Sequence, residues 1–358
     1  MTTRLLLPFL AAFALPATAQ VNGTITHDGI TRNHITYVPT SYVPGTAVPL
    51  VFAMHGFTQS AEAMMNLTGF NDLAEQEGFI VAYPNGVNNG WNTNSPFPGG
   101  STADDVGYIG ALRDTLIAQY SIDTTRVYAC GFSAGGYMSH KLACESPKCF
   151  AAIASVSGTI NNGAVGDCAP QHTPSVLQIH GTSDFIVSYN GSIFSGLGVQ
   201  DVLDLWTANL SCSTTPTITP FNATVEQQVY GSCVGSASVV HYKIDGGGHT
   251  WPTGANFDAT SIIWDFFQGF TCGDISTQVV DRLVQPLSAW PNPALDAVAL
   301  EGIDGPAPFV LVDAMGRNVR TGRTSGGRTV IALNGLGTGT YLLRLMDGSG
   351  RSVRVVKE

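Results

Sequence analysis

Residues 131–135 have the sequence Gly-Phe-Ser-Ala-Gly, which is the strongest indication of fold in this chain. It follows Arg126–Cys130 (Arg-Val-Tyr-Ala-Cys), which is typical of a short buried strand, and precedes Gly136–Ala143, which is typical of a helix. A serine in so tight a turn has a strained backbone, and glycines on either side leave room for it. The same five residues in an ordinary loop would form only a turn. The strand and helix around them therefore make Ser133 a candidate for a reactive side chain.

Such a serine between a strand and a helix is the nucleophile elbow of α/β-hydrolases. The rest of the first 270 residues alternates apolar runs, which predict strands, with stretches of helical spacing. The predicted strands are 49–54, 78–83, 150–156, 175–179 and 239–244, and the predicted helices are 61–76, one from about 104 past 117, and 259–267. This alternation predicts a mostly parallel sheet with helices on both faces, without a large lid.

A serine hydroxyl becomes a nucleophile when a histidine takes its proton and a carboxylate orients that histidine. In this fold the order along the chain is serine, acid, histidine. Asp184 leaves the strand that ends near Ile179, and His249 lies in a glycine-rich loop after the strand that ends at Ile244. We therefore expect Ser133, Asp184 and His249 to meet beyond the carboxyl ends of the strands.

Other interpretations of Asp184 and His249 stay open. Asp184 is also typical of a turn, and His249 of an ordinary loop histidine. The competing residues are His172, His180, His241, Asp245 and Asp258. His241 lies within a predicted strand, and His180 precedes the acid along the chain. Asp245 and Asp258 lie too close to His249 in sequence for this fold. No cysteine or histidine cluster has metal-site spacing, so neither a metal nor a cofactor is expected.

Two backbone N–H groups are expected to bind the oxyanion of a tetrahedral intermediate. One belongs to Ala134, and the other to Phe57 in the loop after the first central strand. Trp91 and Trp251 are the candidates for substrate binding, although Trp91 is equally typical of a packed loop anchor. Asp104–Asp105 is expected to cap the following helix.

The start of the chain predicts export. In residues 1–20, Arg4 precedes the apolar run Leu5–Leu15, and Ala17–Ala19 resembles a small-x-small cleavage site, as in secretory signal peptides. No other apolar stretch is long enough to cross a bilayer, so no membrane span is expected in the mature protein. We expect the protein to be secreted or held at the cell surface.

Seven cysteines agree with an oxidising compartment. Cys212 and Cys233 flank a Thr- and Val-rich stretch and are expected to pair. Two of the three cysteines between residues 144 and 168 are expected to pair as well. Cys130, inside the strand before Ser133, is expected to be a small buried apolar residue.

The charge distribution excludes polyanionic partners. Val21–Phe270 contains 6 Lys and Arg against 18 Asp and Glu, whereas Thr271–Glu358 contains 9 against 8. An acidic surface repels nucleic acid, so nucleic acid is not an expected partner and a neutral substrate is.

The pattern changes after Cys272. Short strand-like runs and Gly-rich turns replace the helices, which predicts a small β-sandwich. The predicted domains are a hydrolase at 21–272, a linker at 273–286 and a sandwich at 287–358.

Five segments of the first domain resemble the polyhydroxybutyrate depolymerase family of esterases, which is similar to feruloyl and acetylxylan esterases of the first carbohydrate-esterase family. They are His55–Gln59, Asp104–Tyr108, Gly131–Gly136, His180–Asp184 and Gly248–Pro252. The resemblance implies Ser133 as nucleophile, Asp184 as acid and His249 as base. It implies an esterase acting through an acyl-enzyme on a polyester or on a polysaccharide-linked ester. The alternative is a surface binding protein built on an inactive hydrolase fold.

Three segments of the last domain resemble a C-terminal sorting domain of the type IX secretion system: Trp290–Ala294, Val312–Arg317 and Gly337–Leu343. The resemblance implies outer-membrane export by that machinery, with removal of the domain on release or attachment. The alternative is a carbohydrate-binding sandwich, although the segment has few aromatic residues to stack on sugars.

Overall fold

A computed structural model describes residues 20–94, 101–273, 287–303, 306–313, 317–325, 327–345 and 352–358. The predicted signal peptide lies outside these residues except for Gln20, and the predicted linker lies outside them except for Gly273. The described chain forms two compact units: residues up to Leu203 together with Thr215–Cys272, and Asp204–Thr214 together with the residues from Gly273 onward. In the described parts of the chain, no helix is long and apolar enough to cross a membrane.

The first unit is built on a ten-stranded sheet. Its strands are β1 (Gln20–His27), β2 (Ile30–Tyr37), β3 (Val48–Met54), β4 (Ile80–Pro84), β5 (Ile122–Phe132), β6 (Ala152–Val156), β7 (Ser175–Gly181), β8 (Thr217–Pro220), β9 (Val225–Tyr230) and β10 (Val239–Ile244). A separate two-stranded ladder pairs β11 (Thr253–Gly254) with β12 (Phe257–Asp258). The helices among the described residues are α1 (Ala61–Thr68), α2 (Phe70–Glu77), α3 (Asp105–Gln119), α4 (Ala134–Glu145), α5 (Val199–Asn209) and α6 (Ala259–Phe267), with a 3₁₀ turn at Asn162–Asp167.

The middle of the sheet is parallel, as predicted. The strand order is β1-β2-β4-β3-β5-β6-β7-β10-β9-β8. Every pair from β4 to β10 is parallel, and the pairs at both edges are antiparallel. Parallel strands place their carboxyl ends at one edge of the sheet, so β5, β7 and β10 lead into loops on the same side.

The apolar pattern of the central strands explains their burial. Every residue of β4, β6 and β7 is buried. In β3, Val51 and Ala53 join a core cluster that also contains apolar residues of α1, α2 and α6. Because strand side chains alternate, Leu50 and Phe52, which are also fully buried, point to the opposite face of the sheet.

Several elements differ from the sequence prediction, and α5, β8 and β9 were not predicted. The helix predicted at 61–76 is interrupted at Gly69, whose φ of 66° is left-handed, so that α1 ends there and α2 begins. The β1–β2 hairpin at the edge of the sheet was not predicted. Its turn residues Asp28 and Gly29 both have positive φ, 49° and 73°, as a tight two-residue hairpin requires.

The second unit contains two antiparallel sheets. The strands are β13 (Ser288–Trp290), β14 (Ala297–Ile303), β15 (Pro308–Val312), β16 (Asn318–Arg323), β17 (Gly327–Ala332), β18 (Gly339–Leu345) and β19 (Ser352–Lys357). Their orders are β13-β14-β17 and β16-β15-β18-β19. Buried residues of both sheets, such as Leu300 and Leu311, share one apolar cluster. The described part of this unit is therefore a β-sandwich in which sheets pack on a common core.

Two disulfides tie the end of α4 and the residues after it to later parts of the chain. Cys144 pairs with Cys168, and Cys149 pairs with Cys272. Cys212 and Cys233 are also disulfide-bonded. Cys130 is buried with a free thiol, whose pKa burial raises far above its usual range. The partner of Cys149 was not predicted, because 123 residues separate the two cysteines.

Candidate functional site

The turn between β5 and α4 holds Ser133 in a strained conformation. Its φ of 53° and ψ of −117° are unusual for any residue other than glycine. A Cβ on Gly131 would collide with the backbone of Gly135, and a Cβ on Gly135 would collide with the carbonyl oxygen of Met54. Glycine at both positions therefore allows the start of α4 to lie directly against β5 and the end of β3, with Ser133 at the tip of the turn.

The structure brings Ser133, His249 and Asp184 into one hydrogen-bonded line. His249 Nε2 lies 3.0 Å from Ser133 Oγ, and His249 Nδ1 lies 2.8 Å from Asp184 Oδ2. The imidazole thus has one nitrogen on the hydroxyl and the other on the carboxylate. This geometry permits the ring to take the hydroxyl proton while the carboxylate stabilises the imidazolium that forms.

The carboxylate of Asp184 is held by its own loop as well as by His249. Its side chain has no exposed surface. Asp184 Oδ1 accepts from the N–H groups of Ile186 at 2.9 Å and Val187 at 2.8 Å. Burial alone would raise its pKa, but hydrogen bonds from His180, His249 and Val187 outweigh burial and hold the pKa of Asp184 well below its usual range. The carboxylate is therefore ionised wherever the protein is folded near neutral pH.

A second histidine contacts the same carboxylate and was not predicted as a partner. His180 Nε2 lies 3.4 Å from Asp184 Oδ2 and 2.9 Å from the carbonyl oxygen of Val187. In the sequence, His180 was only an alternative candidate for the base. Its position at the end of β7, four residues before Asp184, is the feature that indicates a contact with the acid.

The two residues predicted to donate to an oxyanion lie at the start of α4 and in the loop after β3. Ala134 is the first residue of α4, where an N–H has no intrahelical acceptor. The loop after β3 packs against the same turn, because a Cβ on Gly56 would lie 3.3 Å from the ring of Phe132. In that loop, Phe57 is partly exposed, whereas Thr58 N–H is used by a bond to Asn89 O.

Trp91 and Trp251 do not offer a surface to a substrate. Trp91 is 2% exposed, and its indole N–H donates to His55 O at 2.9 Å. Trp251 is 4% exposed, and its indole N–H donates to Thr260 Oγ1 at 3.0 Å. The prediction that these rings bind substrate is wrong, because each has its polar atom satisfied inside the protein and its faces packed. Trp91 instead anchors its loop by packing inside the protein, which was the alternative interpretation of the sequence.

The residues that competed for the acid and base roles have other partners. Asp258 caps α6 by accepting from Ser261 N, and Asp245 accepts from Thr182 Oγ1. His241 is buried against the carbonyl oxygen of Gln178, and burial lowers its pKa to about 3. Asp104 caps α3, as predicted, by accepting from Gly107 N at 2.8 Å.

Large apolar side chains are exposed beside the acid. Phe185 is 94% exposed and Ile186 is 68% exposed, and both follow Asp184 directly. Phe57, in the loop after β3, is 46% exposed. These side chains are exposed large apolar groups in the loops after β7 and β3 that lead to the site.

Comparison with known proteins identifies relatives of the first unit. Residues 34–181 match the family model Esterase PHB depolymerase. The chain is 30% identical over 254 residues to Probable feruloyl esterase C of Aspergillus clavatus, covering 69% of this chain and 86% of that protein. It is 28% identical over 261 residues to the bifunctional acetylxylan esterase/xylanase XynS20E of Neocallimastix patriciarum, covering 70% of this chain but only 35% of that enzyme.

A solved structure has the same fold. The acetyl xylan esterase from Aspergillus awamori matches with a TM-score of 0.54 at 19% identity, over 70% of this chain and 99% of that one. This match confirms the predicted α/β-hydrolase fold, with an additional β-unit at the end of this chain. The chain belongs to the same esterase family as Probable feruloyl esterase C of Aspergillus clavatus, and its residues 34–181 match the Esterase PHB depolymerase model.

Proposed function

We propose that the protein is a serine carboxylic-ester hydrolase that acts through an acyl-enzyme on Ser133. The observation that carries the proposal is the hydrogen-bonded line from Ser133 Oγ through His249 to Asp184, with separations of 3.0 and 2.8 Å. These lengths are within the range in which a base takes a proton from a nucleophile.

The contacts of Ser133, His249 and Asp184 support the following roles. His249 Nε2 takes the proton of Ser133 as its oxygen attacks the ester carbonyl, and Asp184 stabilises the imidazolium. The N–H groups of Ala134 and Phe57 bind the oxyanion that forms. His249 then gives the proton to the leaving alcohol oxygen. Water repeats the sequence on the acyl group, releasing the acid and restoring Ser133.

The substrate class that we propose is an ester carried on a plant-wall polysaccharide, with feruloyl ahead of acetyl. Relatives named feruloyl esterase and acetylxylan esterase support a polysaccharide-linked ester. The exposed side chains of Phe185, Ile186 and Phe57 favour an aromatic acyl group, because apolar and aromatic surfaces pack against a phenyl ring. The acidic first unit favours a neutral substrate over an anionic one. A polyhydroxyalkanoate is the alternative substrate, and the match to the Esterase PHB depolymerase model supports it.

One panel tests the substrate class. Methyl ferulate, acetylated xylan and polyhydroxybutyrate film are assayed side by side with the wild-type protein and with Phe185→Ser. We expect the highest kcat/KM on methyl ferulate, and a larger loss on ferulate than on acetate in Phe185→Ser. Higher activity on polyhydroxybutyrate film than on both polysaccharide esters would contradict the proposed class.

We also propose that the protein is exported and that its second unit is a sorting domain for type IX secretion. The disulfides at Cys144–Cys168 and Cys149–Cys272 support an oxidising, extracellular destination. The β-sandwich and the sequence segments at Trp290–Ala294 and Gly337–Leu343 support the sorting role.

A shortened chain that ends at Gly273 tests that proposal. We expect it to keep its esterase activity in solution and to remain inside the cells of the native host, whereas the full chain reaches the medium or the cell surface. A shortened chain that is still exported would contradict the sorting role. Loss of activity with a large fall in Tm would show that the second unit stabilises the first.

A further inference from the structure

A buried chain of polar side chains runs from the acid into the sheet. His180 is 1% exposed at the end of β7, and Gln178, two residues earlier on the same face of that strand, is fully buried. Gln178 contacts His140 of α4, which is also buried. A buried polar group destabilises the folded protein unless it has a hydrogen-bond partner. The donors and acceptors of these side chains must therefore match.

The hydrogen bonds assign the proton of His180 to one nitrogen. His180 Nε2 lies 2.9 Å from the carbonyl oxygen of Val187, which can only accept, so Nε2 carries the hydrogen. The same N–H faces Asp184 Oδ2 at 3.4 Å. In the neutral ring, Nδ1 is then a bare acceptor.

Gln178 supplies the donor that this acceptor needs. Its Nε2 donates to His180 Nδ1 at 3.1 Å and to the carbonyl oxygen of Gly158 at 2.8 Å, which uses both amide hydrogens. Its Oε1 accepts from His140 Nε2 at 3.1 Å. Burial lowers the pKa of His140 to about 4, so that ring is neutral. These contacts fix the orientation of the Gln178 amide and the position of the hydrogen on His180. A hydrogen on His180 Nδ1 would face the amide N–H of Gln178, which is also a donor.

The carboxylate of Asp184 therefore has a partner on each oxygen. Two backbone N–H groups donate to Oδ1 and His249 Nδ1 bonds to Oδ2, while His180 Nε2 lies 3.4 Å from Oδ2. Because His180 holds the carbonyl oxygen of Val187, it fixes the loop that carries the carboxylate. Rotation of the carboxylate away from His249 would also take Oδ1 from the buried N–H of Val187, which is costly.

We propose that His180 is a positioning residue that holds the loop of Asp184 through the carbonyl oxygen of Val187. With its Nε2 facing Asp184 Oδ2, it keeps the acid in the orientation that serves His249. The inference rests on the proposed function, since it assigns how the acid of that site is held. His180 does not touch the substrate and transfers no proton. Its effect is expected on kcat rather than on KM, because the orientation of the acid matters most when the imidazolium forms.

The test compares three variants on p-nitrophenyl acetate. His180→Leu removes the donor, and His180→Gln places an amide N–H near the position of Nε2. His241→Leu is the matched control, because His241 is a buried histidine on the adjacent strand β10 that bonds to the backbone of Gln178 and not to Asp184. We expect kcat to fall roughly ten- to a hundredfold in His180→Leu, with KM changed by less than about threefold. His180→Gln should recover most of that loss, and His241→Leu should lower Tm while keeping kcat.

Wild-type kcat in His180→Leu would overturn the inference, and so would equal losses of kcat in His180→Leu and His241→Leu. Should His180→Leu not fold, Gln178→Met provides the second variant. It removes the donor to Nδ1 and should lower kcat several-fold at constant KM, while an unchanged kcat would overturn the inference. Activity that survives in Ser133→Ala would instead show that the proposed function is wrong.

Discussion

Asp184 Oδ2 and His249 Nδ1 lie 2.8 Å apart, although 65 residues separate them along the chain. The sheet explains the distance. Strands β7 and β10 are parallel neighbours whose last residues, Gly181 and Ile244, are paired in register. The loops that follow them therefore leave the same edge of the sheet side by side. β5 ends at that edge as well, which brings Ser133 to the other nitrogen of His249.

Replacing the acid should remove most of the activity and leave the fold. In Asp184→Asn the imidazole loses its orienting anion and faces an amide, so we expect kcat to fall by roughly a thousand- to ten-thousandfold. Asp245→Asn is a matched control, because Asp245 lies at the end of the neighbouring strand and bonds to Thr182. Steady-state kinetics and circular dichroism of both variants check the expectation. Near-full activity in Asp184→Asn would assign the acid role to another residue.

Asp184 should also make stability depend on acid pH. Hydrogen bonds hold its folded pKa below its value in the unfolded chain, which is about 3.9. The unfolded state then binds more protons between the two values, so this contribution is complete above about pH 5 and is lost as pH falls toward the folded pKa. The free energy of unfolding should therefore fall less steeply from pH 5 to pH 2 in Asp184→Asn than in the wild type. Urea unfolding at several pH values measures both slopes, and equal slopes would contradict the assignment.

The turn at Ser133 should not accept a larger residue at its last glycine. A Cβ at position 135 would collide with the carbonyl oxygen of Met54, which is backbone and cannot move aside cheaply. We expect Gly135→Ala to destabilise the protein by about 1–3 kcal/mol and to lower kcat strongly. Gly166→Ala is the control, since a Cβ there has no neighbour within 4 Å. Thermal unfolding and kinetics of both variants test this, and equal Tm values would be contrary evidence.

Local sequence was sufficient for the elements that lead to the site. Apolar runs that are buried on both faces predict parallel strands, and β3, β4, β5, β6, β7 and β10 all correspond to such runs. The α6 helix has the predicted bounds, Ala259–Phe267. The order of the strands then places residues that follow them at one edge, which is why Ser133, Asp184 and His249 could be proposed together.

Features that depend on tertiary packing could not be predicted in this way. Trp91 and Trp251 lie in polar loops, and only the fold shows that their N–H groups find buried acceptors. The contact of His180 with Asp184 depends on the path of the loop after β7. By contrast, the β1–β2 hairpin had a local signal, because Asp28–Gly29 separates two alternating runs.

Labelling with a fluorophosphonate, followed by peptide mass spectrometry and by the rate of p-nitrophenyl acetate hydrolysis, tests whether Ser133 is the nucleophile. We expect one label per chain, located on Ser133, and loss of activity in proportion to labelling. We also expect Ser133→Ala to be unlabelled and at least about a thousandfold slower. A label on another residue, no label on an otherwise active protein, or substantial activity in Ser133→Ala would contradict a serine hydrolase built on Ser133, His249 and Asp184.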